Sequence, residues 1–316
     1  MQSDPSNNGR ETPMTARHLD PARRHDFVML FDVTDGNPNG DPDAGNLPRI
    51  DPETMQGLMS DVSLKRKVRD FVHVAKGNEE RFKIYVLGDE ALNTTHERAY
   101  KALGVKSTGT KQDSKTIDQA RDWMAANFFD IRMFGAVMTT GVNCGQVRGP
   151  VQITFARSID PIVPLDLSIT RKAVTKEEDR VVKSDDDGKG TAGKQTEMGR
   201  KSMVPYGLYR AHGFFNPHFA RQSGATEEDV ELLWHALIGM FEMDRSASRG
   251  MMALQGLYVF THDSPLGNAP AHRLFGQVEV APLHEGRAPR AIADYSVTVR
   301  GDVPGGVTLT TLVSPA

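Results

Sequence analysis

Apolar residues recur along the chain in short runs and in helical periods, and these two patterns predict both strands and helices. Residues 26–33 are mostly apolar and end at turn-forming residues, which is typical of a buried strand. Apolar positions three and four apart predict a helix that begins after the N-cap residue Ser60 and stops at Gly77. Further strands are predicted at residues 81–88, 149–158, 254–263, 274–283 and 294–300.

Two more helices are predicted at residues 116–130 and 225–243, the second with Thr226 and Asp229 spaced as a capping box. In chain order, the strongest elements are strand, helix, strand, strand, helix and strand. This βαββαβ order predicts an α+β fold of the ferredoxin-like or RNA-recognition-motif-like (RRM-like) kind, with large insertions. The order alone assigns no function, because such folds carry many.

Composition divides the chain into a tail and one domain. Residues 1–25 are rich in Ser, Asn, Pro and Arg, and we interpret them as a disordered tail. Residues 26–316 are interpreted as a single domain. Within it, residues 176–200 are charged and Gly-rich with few apolar positions, which predicts a mobile loop or a protruding hairpin.

Charge and cysteine content exclude several classes of protein. The chain of 316 residues has a net charge of −3, so it is not an obvious polyanion binder unless its basic residues gather on one face. Cys144 is the only cysteine, which excludes an internal disulfide and a cysteine-based metal site. The sequence contains no apolar run long enough for a membrane span and no secretory signal, and we expect a cytoplasmic protein.

The segment DGNPNGDPDAGN, residues 35–46, admits several interpretations. It begins like a calcium-binding loop, but position twelve is Asn46, where a bidentate Glu is required. Its glycines do not open directly into a helix, which disfavours a phosphate-binding loop. Asp32, Asp35 and Asp41 could instead hold Mg²⁺ for phosphodiester cleavage. Ordinary turn chemistry, in which Asp and Asn side chains satisfy local backbone amides, is the favoured interpretation.

The helix at residues 60–77 has an apolar face and an opposite basic face. Lys65, Arg66 and Arg69 lie on the basic face, and Lys67 lies at its boundary. We expect these cations to lack acidic partners and therefore to be available for phosphate contacts. A solvated charged surface is the alternative interpretation.

Other cations occur among aromatic residues or beside glycines. Arg148 is flanked by glycines, and the segment MGRKSMVPYGLYRAHGFF interleaves basic residues with tyrosines and phenylalanines, as single-strand binding surfaces do. The aromatic residues could equally belong to the core. Arg245 and Arg249 follow a helix, where capping of the helix end is the alternative to binding.

Several segments resemble one known family. The stretch FDVTDGNPNGDPDAGNLPRIDPETMQGLMSDVSLKRKVRDF resembles the N-terminal signature of the CRISPR-associated Cascade backbone subunits, most closely those of type I-C. RMFGAVM, GQVRGPVQITFARS, MGRKSMVPYGLYRAHGFFNP and FEMDRSASRGMM are similar to later blocks of that family. The resemblance extends over residues 26–263.

The resemblance implies an RRM-like palm with a finger insertion at about residues 89–147 and a thumb insertion at about residues 160–205. It implies copies that stack along CRISPR RNA, a target DNA strand paired with that guide, and contacts with the large and guide-processing subunits. It also implies a protein that is not an enzyme and has no metal or cofactor. Type III relatives, however, cleave RNA with an aspartate near the first strand, and Asp32 or Asp35 is the candidate for that role here. The residues expected to bind RNA are Lys65, Arg66, Lys67, Arg69, Arg49, Arg148, Gln146, Arg200, Lys201, Met203 (a candidate base wedge), Tyr206, Arg210, Arg245 and Arg249.

Overall fold

A computed structural model describes residues 16–88, 90–173, 183–184, 190–191, 197–284 and 286–315. The strands are, in chain order, β1 (His25–Gly36), β2 (Gly40–Asp41), β3 (Leu47–Pro48), β4 (Gln56–Met59), β5 (Gly135–Val137), β6 (Gln146–Arg148), β7 (Val151–Ile153), β8 (Ala156–Pro161), β9 (Leu165–Arg171), β10 (Lys183–Ser184), β11 (Gly190–Thr191), β12 (Glu197–Phe215), β13 (Met251–His262), β14 (Val278–Pro282), β15 (Tyr295–Val299) and β16 (Val307–Val313).

The α-helices are α1 (Asp61–Lys76), α2 (Leu92–Ala102), α3 (Ser114–Asn127), α4 (Phe129–Phe134), α5 (Pro217–Ser223), α6 (Glu227–Met243) and α7 (Ala271–Phe275). Short 3-10 helices lie at Arg17–Leu19, Pro42–Ala44, Glu80–Phe82, Gly109–Lys111 and Ile292–Asp294. The predicted helix after Ser60 is confirmed: the Ser60 hydroxyl accepts a hydrogen bond from Ser63 N, and Gly77 is the C-cap. The capping box of Thr226 and Asp229 at the start of α6 is also confirmed.

A mixed fold with one central antiparallel sheet confirms the predicted α+β class. The strand order is β16-β13-β1-β12-β8-β4, and β7 and β9 also pair with β12. Strand β1 therefore lies between β12 and β13, and it is antiparallel to both. The helices α1 and α6 follow β1 and β12 in the chain, so the six central elements keep the βαββαβ order when β8 and β12 are taken as the middle strands.

The two faces of the sheet are covered by different layers. Alternate residues of β1, including Phe27, Met29 and Phe31, pack with residues of α1 and α6 in one buried cluster, which we call the helix-side core. The intervening residues Val28 and Leu30 pack with residues of α7, β14 and β15 in a second cluster, the far-side core. Because successive side chains of a strand point to opposite faces, β1 is buried on both sides.

The helices α2, α3 and α4 carry a third cluster that includes Tyr85, Tyr100, Met124 and Cys144. The predicted strand at residues 81–88 is wrong, because this segment begins with the 3-10 helix Glu80–Phe82 and then joins the third cluster. The Asp130 carboxylate accepts hydrogen bonds from the backbone N–H groups of Tyr85 (2.8 Å) and Val86 (3.1 Å). A side chain thus supplies the acceptors that a neighbouring strand would have supplied.

Strand β12 is the largest difference from the sequence-based expectation. The predicted strand at 149–158 is split into β7 and β8, and the long β12 was not predicted as a strand. One end of β12 pairs with β9 to form a two-stranded arm, and the other end pairs with β1, β7 and β8 in the sheet. Most of the predicted mobile loop at 176–200 lies outside the described residues.

The predicted disordered tail, residues 1–25, lies outside the described residues up to position 15. From Ala16 onwards the chain differs from that prediction, since it contains the 3-10 helix Arg17–Leu19. The backbone carbonyl of His18 accepts a hydrogen bond from the Trp234 indole N–H of α6 at 3.0 Å. This contact fixes the start of the described chain to the helix layer.

Candidate nucleic-acid interface

The basic face of α1 does not consist of unpaired cations, and that expectation is wrong. Each of its four basic side chains has a carboxylate partner in the folded chain. The pairs are Lys65 with Asp61 (3.0 Å), Arg66 with Asp70 (2.8 Å), Lys67 with Asp244, and Arg69 with Asp130 (2.8 Å). The first two partners lie one helical turn away, where i,i+4 pairs normally form.

The arginines of this face have hydrogen-bond donors that their ion pairs do not use. Arg66 and Arg69 bind their carboxylates through Nε, and a guanidinium group carries five N–H donors in total. The Arg66 side chain is 55% exposed. A phosphate can therefore be contacted by Arg66 without breaking its ion pair with Asp70.

Lys67 has a structural position, which corrects its expected role as an RNA ligand. Its side chain is 2% exposed and lies between α1 and the residues that follow α6, where Asp244 pairs with it. Burial lowers the pKa of Lys67 to about 7, and the nearby positive charge of Arg249 contributes in the same direction. The ammonium group is thus enclosed by protein and does not face solvent.

Asp244 and Arg249 connect α1 to the loop after β1. Asp244 accepts a hydrogen bond from Lys67 and forms an ion pair with Arg249, whose Nε lies 3.3 Å from the Asp244 carboxylate. The Arg249 Nη1 atom also donates to the backbone carbonyl of Pro38 at 3.1 Å. A pocket of about 440 Å³ beside these groups is lined by Asn39, Ser60, Val62, Ser63, Arg66, Lys67, Asp70, Asp244 and Arg249.

The loop after β1 forms a groove with the β9–β12 arm, which we call the loop–arm groove. It has a volume of about 320 Å³ and is lined by Asn37, Ala44, Gly45, Asn46, Leu47, Asp166, Arg200, Lys201, Ser202 and Ser248. The Asn37 backbone N–H donates to the Ser248 carbonyl at 2.7 Å, which holds two of its walls together. Three segments distant in sequence therefore meet here.

Arg200 and Lys201 lie on opposite faces of the arm, because adjacent residues of a strand alternate in direction. Arg200 is opposite Ser168 in the ladder and pairs with Asp166 at 3.5 Å, yet its side chain is 80% exposed. Lys201 is opposite Leu167, and Met203 is opposite Leu165. The arm thus has a polar face that includes Arg200 and a more apolar face that includes Lys201.

Arg148 and Gln146 lie on the exposed side of β6. Arg148 pairs through its backbone with Gly135, directly after Phe134, whose ring centroid is 5.8 Å from Lys65 Nζ. Among the described residues, the Arg148 side chain has no hydrogen-bond or ion-pair partner. An adjacent pocket of about 420 Å³ is lined by Arg121, Asp122, Ala125, Gln146, Val147, Arg148, Gln222 and Ser223.

Tyr206 and Arg210 are occupied inside the fold, which corrects their expected exposure to RNA. Tyr206 is buried in the far-side core and donates its hydroxyl to Asp32 at 3.2 Å. Arg210 donates to the backbone carbonyls of Phe275 (2.5 Å) and Val278 (2.7 Å), and burial lowers its pKa. Both residues hold the second layer onto the sheet, so neither belongs to the interface that we propose.

The two remaining expected residues are at the surface and paired. The Arg49 Nη1 atom lies 3.5 Å from Oδ1 of Asp41 in the loop after β1, and the Arg49 side chain is one third exposed. Arg245 pairs with Glu242 within the last turn of α6 and the residues after it. Sequence reasoning missed Ser248 and Asp244, because only the fold brings the end of α6 beside the loop after β1.

The loop aspartates do not converge. Asp32 is buried, and burial raises its pKa although hydrogen bonds from Gln255 and Tyr206 oppose that shift. Asp35 is exposed, and Asp41 caps the 3-10 helix Pro42–Ala44 by accepting from Asp43 N. Within the described ranges no group of three or more His, Cys, Asp or Glu side chains is placed to hold a metal ion. The described helices also include none that is long and apolar enough to cross a membrane.

These features define an α+β protein built on one antiparallel sheet with a projecting arm. A sequence profile described as CRISPR-associated protein Cas7 matches residues 23–300, and the chain belongs to the Cas7 family. A CRISPR-associated protein Cas7 from Haloferax volcanii is 26% identical over 236 residues. That match covers 68% of this chain and 64% of the relative, so the chain spans less than two thirds of the relative's length.

Two solved structures match this chain over most of its length. A chain of a CRISPR RNA-guided surveillance complex in a pre-nicking state has a TM-score of 0.48 and 13% identity, covering 78% of this chain and 79% of its own. A chain of another CRISPR RNA-guided surveillance complex has a TM-score of 0.43 and 15% identity, covering 78% of this chain and 71% of its own. The family assignment rests on the profile match.

Proposed function

We propose that this chain is an RNA-binding backbone subunit that polymerises along CRISPR RNA in a type I Cascade surveillance complex, of the type I-C kind, in the cytoplasm. It is not an enzyme in this proposal. The bound guide then pairs with a target DNA strand, and the large subunit and the guide-processing subunit are its further partners. Membership of the Cas7 family supports the proposal, and so does the arrangement of the site.

One observation carries the proposal, namely the continuity of polar surface from the arm to α1. The loop–arm groove contains Arg200, and Arg249 connects the loop wall of that groove to the pocket beside α1. The exposed Arg66 lines that pocket, and Lys65 of the same helix contacts the ring of Phe134 in α4, which directly precedes the ladder partner of Arg148. A single strand lying along this course has a cation within reach at each step, as backbone recognition of RNA requires.

Spare hydrogen-bond donors explain how paired arginines can serve this function. A phosphate that approaches Arg66 or Arg200 finds N–H donors beyond those already used by Asp70 or Asp166. The nearby carboxylates reduce the net positive charge of the surface. We therefore expect binding of moderate strength that weakens steeply with salt, and filament formation along one RNA then adds to the total affinity.

The test is the salt dependence of single-stranded RNA binding. For single strands, the logarithm of the affinity falls against the logarithm of salt concentration with a slope of about 0.7 per phosphate contacted. We expect Arg148→Ala, and separately Arg200→Ala, to reduce that slope by about one contact each. The control is Arg98→Ala on α2, which, like Arg200, is an exposed arginine paired with a carboxylate but lines neither the loop–arm groove nor the pocket beside α1. Binding without salt dependence, or equal slopes in all variants, would contradict the proposal.

A further inference from the structure

Phe155 differs from the other aromatic residues of the described chain in its exposure to solvent. All 14 Phe, 6 Tyr and 2 Trp residues lie in the described part of the chain, and Phe155 is the only one of them that is exposed. Its exposed fraction is 53%. A half-exposed ring of this size offers apolar area that a bound ligand can bury.

The local backbone turns this ring away from the core. Phe155 lies between β7 and β8, where the pairing with β12 is interrupted. Its neighbour Ala156 is fully buried in the helix-side core. Because side chains alternate along an extended chain, Phe155 and Arg157 lie on the other face, and both are exposed.

The layer on that other face does not reach Phe155. The far-side core is made from β1, β12 and β13 together with α7, β14 and β15, and Phe155 is not part of it. The cover reaches β8 only in its second half, where Ile159 packs against the far-side core and the Tyr295 hydroxyl donates to Asp160 at 2.6 Å. The ring of Phe155 precedes that part of β8 and is exposed beside its first residues.

Two arginines accompany the ring at this end of β8. Arg157 is paired with Asp51 through Nη1 at 2.7 Å, and Nε and Nη2 are not part of that bond. Leu58 of β4 is opposite Arg157 in the ladder, and its backbone N–H donates to the carbonyl of Arg49 at 2.8 Å. Arg49 and Arg157 therefore lie on either side of Leu58, and Arg157 is two residues from Phe155 along the chain.

We propose that Phe155 is a stacking platform for one base of the bound single-stranded RNA, with Arg157 and Arg49 contacting the phosphates beside that base. An exposed aromatic ring with nearby cations is the arrangement that binds single strands without reading their sequence. This inference rests on the proposed RNA-binding function and adds a site to it. Strand and loop residues, rather than α1 or the arm, form that site.

The experiment compares the wild-type chain with Phe155→Ala, Phe155→Leu and Phe155→Trp in binding to single-stranded RNA. Removal of one base–aromatic stack is expected to lower the affinity about 5- to 150-fold in the Ala variant. Leu keeps the apolar character without the ring and is expected to lose affinity as well, whereas Trp restores it. The salt slope stays as in the wild type, because no phosphate contact is removed.

A fluorescent base gives an independent readout. RNA carrying 2-aminopurine at successive positions is expected to show a change of fluorescence on binding wild-type chain at the stacked position, and this change disappears with Phe155→Ala. The matched control is Leu266→Ala, which truncates an exposed apolar side chain that follows β13, on the other side of β1 from β8. This control is expected to bind RNA and to change the fluorescence as the wild type does.

The outcomes separate this inference from the function on which it rests. If wild-type chain binds no RNA, the proposed function fails. If it binds RNA with a normal salt slope and Phe155→Ala binds equally well, only the stacking platform is overturned. Loss of self-association with unchanged RNA affinity in Phe155→Ala also overturns it, because the ring then contacts a second copy of the chain.

Discussion

Arg132 and Asp229 form a fully buried, two-pronged ion pair between residues 97 positions apart in the chain. Arg132 Nε donates to Asp229 Oδ2 at 2.9 Å, and Nη2 donates to Oδ1 at 2.5 Å. Arg132 also donates to the carbonyl of Ala125, and Asp229 accepts from the backbone N–H of Thr226 at the start of α6. The pair therefore joins the helical segment α3–α4 to the helix layer on the sheet.

Asp229→Ala is expected to lower the free energy of unfolding by about 3–5 kcal/mol, because it leaves the buried guanidinium of Arg132 without its carboxylate. Urea unfolding at neutral pH measures the change. Asp118→Ala is the control, since it removes an exposed partner of Arg121 and should cost less than about 1 kcal/mol. Equal effects of the two substitutions would contradict the structural role of the pair.

Stability is expected to fall as the pH drops from about 6.5 to about 4. Burial lowers the pKa of His25 to about 4, while the unfolded chain takes up a proton near the ordinary value of 6.5. Between these values the unfolded state binds the extra proton, so acid favours unfolding. Urea unfolding at pH 7 and pH 5 should show a smaller loss in His25→Asn than in wild type. His235→Asn at an exposed position of α6 should behave as wild type.

Gly250→Ala is expected to weaken both folding and RNA binding. Its φ is +62°, and an added Cβ would lie 2.4 Å from the carbonyl oxygen of Thr34, so the loop that carries Arg249 must move. Gly104 at the end of α2 is the matched control, because its φ of +69° is similar and an added Cβ would meet no atom within 4 Å. Gly104→Ala should show only the cost of the backbone conformation, about 1–3 kcal/mol. If Gly250→Ala is no worse than Gly104→Ala by urea unfolding and RNA titration, close packing of this loop does not matter.

RNA cleavage distinguishes the proposed function from the alternative ribonuclease. We expect target RNA paired with the bound guide to stay intact when Mg²⁺ is added. Asp32 is buried against Tyr206, and Asp35 is not accompanied by a converging set of carboxylates among the described residues. Gel analysis of labelled target RNA over time measures the fraction that is cleaved. Product that disappears in Asp32→Ala or Asp35→Ala would establish the ribonuclease instead.

Local signals in the sequence predicted local structure well. The helix α1 and the start of α6 follow from apolar spacing and from capping residues that act within one turn. Strand β12 was not predicted, and Gly199, Pro205, Gly207 and Gly213 interrupt the local pattern of its residues. Its ladder partners lie in β1, β7, β8 and β9, and no local pattern encodes them.

The candidate site likewise contains both local and long-range ion pairs. The carboxylates Asp61 and Asp70 lie one turn from Lys65 and Arg66, so the expectation that these cations lack acidic partners was wrong even for pairs that sequence spacing contains. The partners of Lys67 and Arg69 come from 177 and 61 positions away, so only the fold reveals them. Phe155 was part of a predicted strand, but its exposure depends on where the second layer of the fold ends.

The arm and the sheet share one polypeptide segment, since β12 runs through both without interruption over 19 residues. The arm pairs with β9 as far as Met203, and the ladder with β1 begins at Val204, so the two ladders meet end to end without sharing a residue. Every displacement of the arm relative to the sheet is therefore concentrated at one backbone junction, between Met203 and Val204. A pull on Arg200 would be transmitted through that junction along β12 to β1, ten of whose twelve residues are buried.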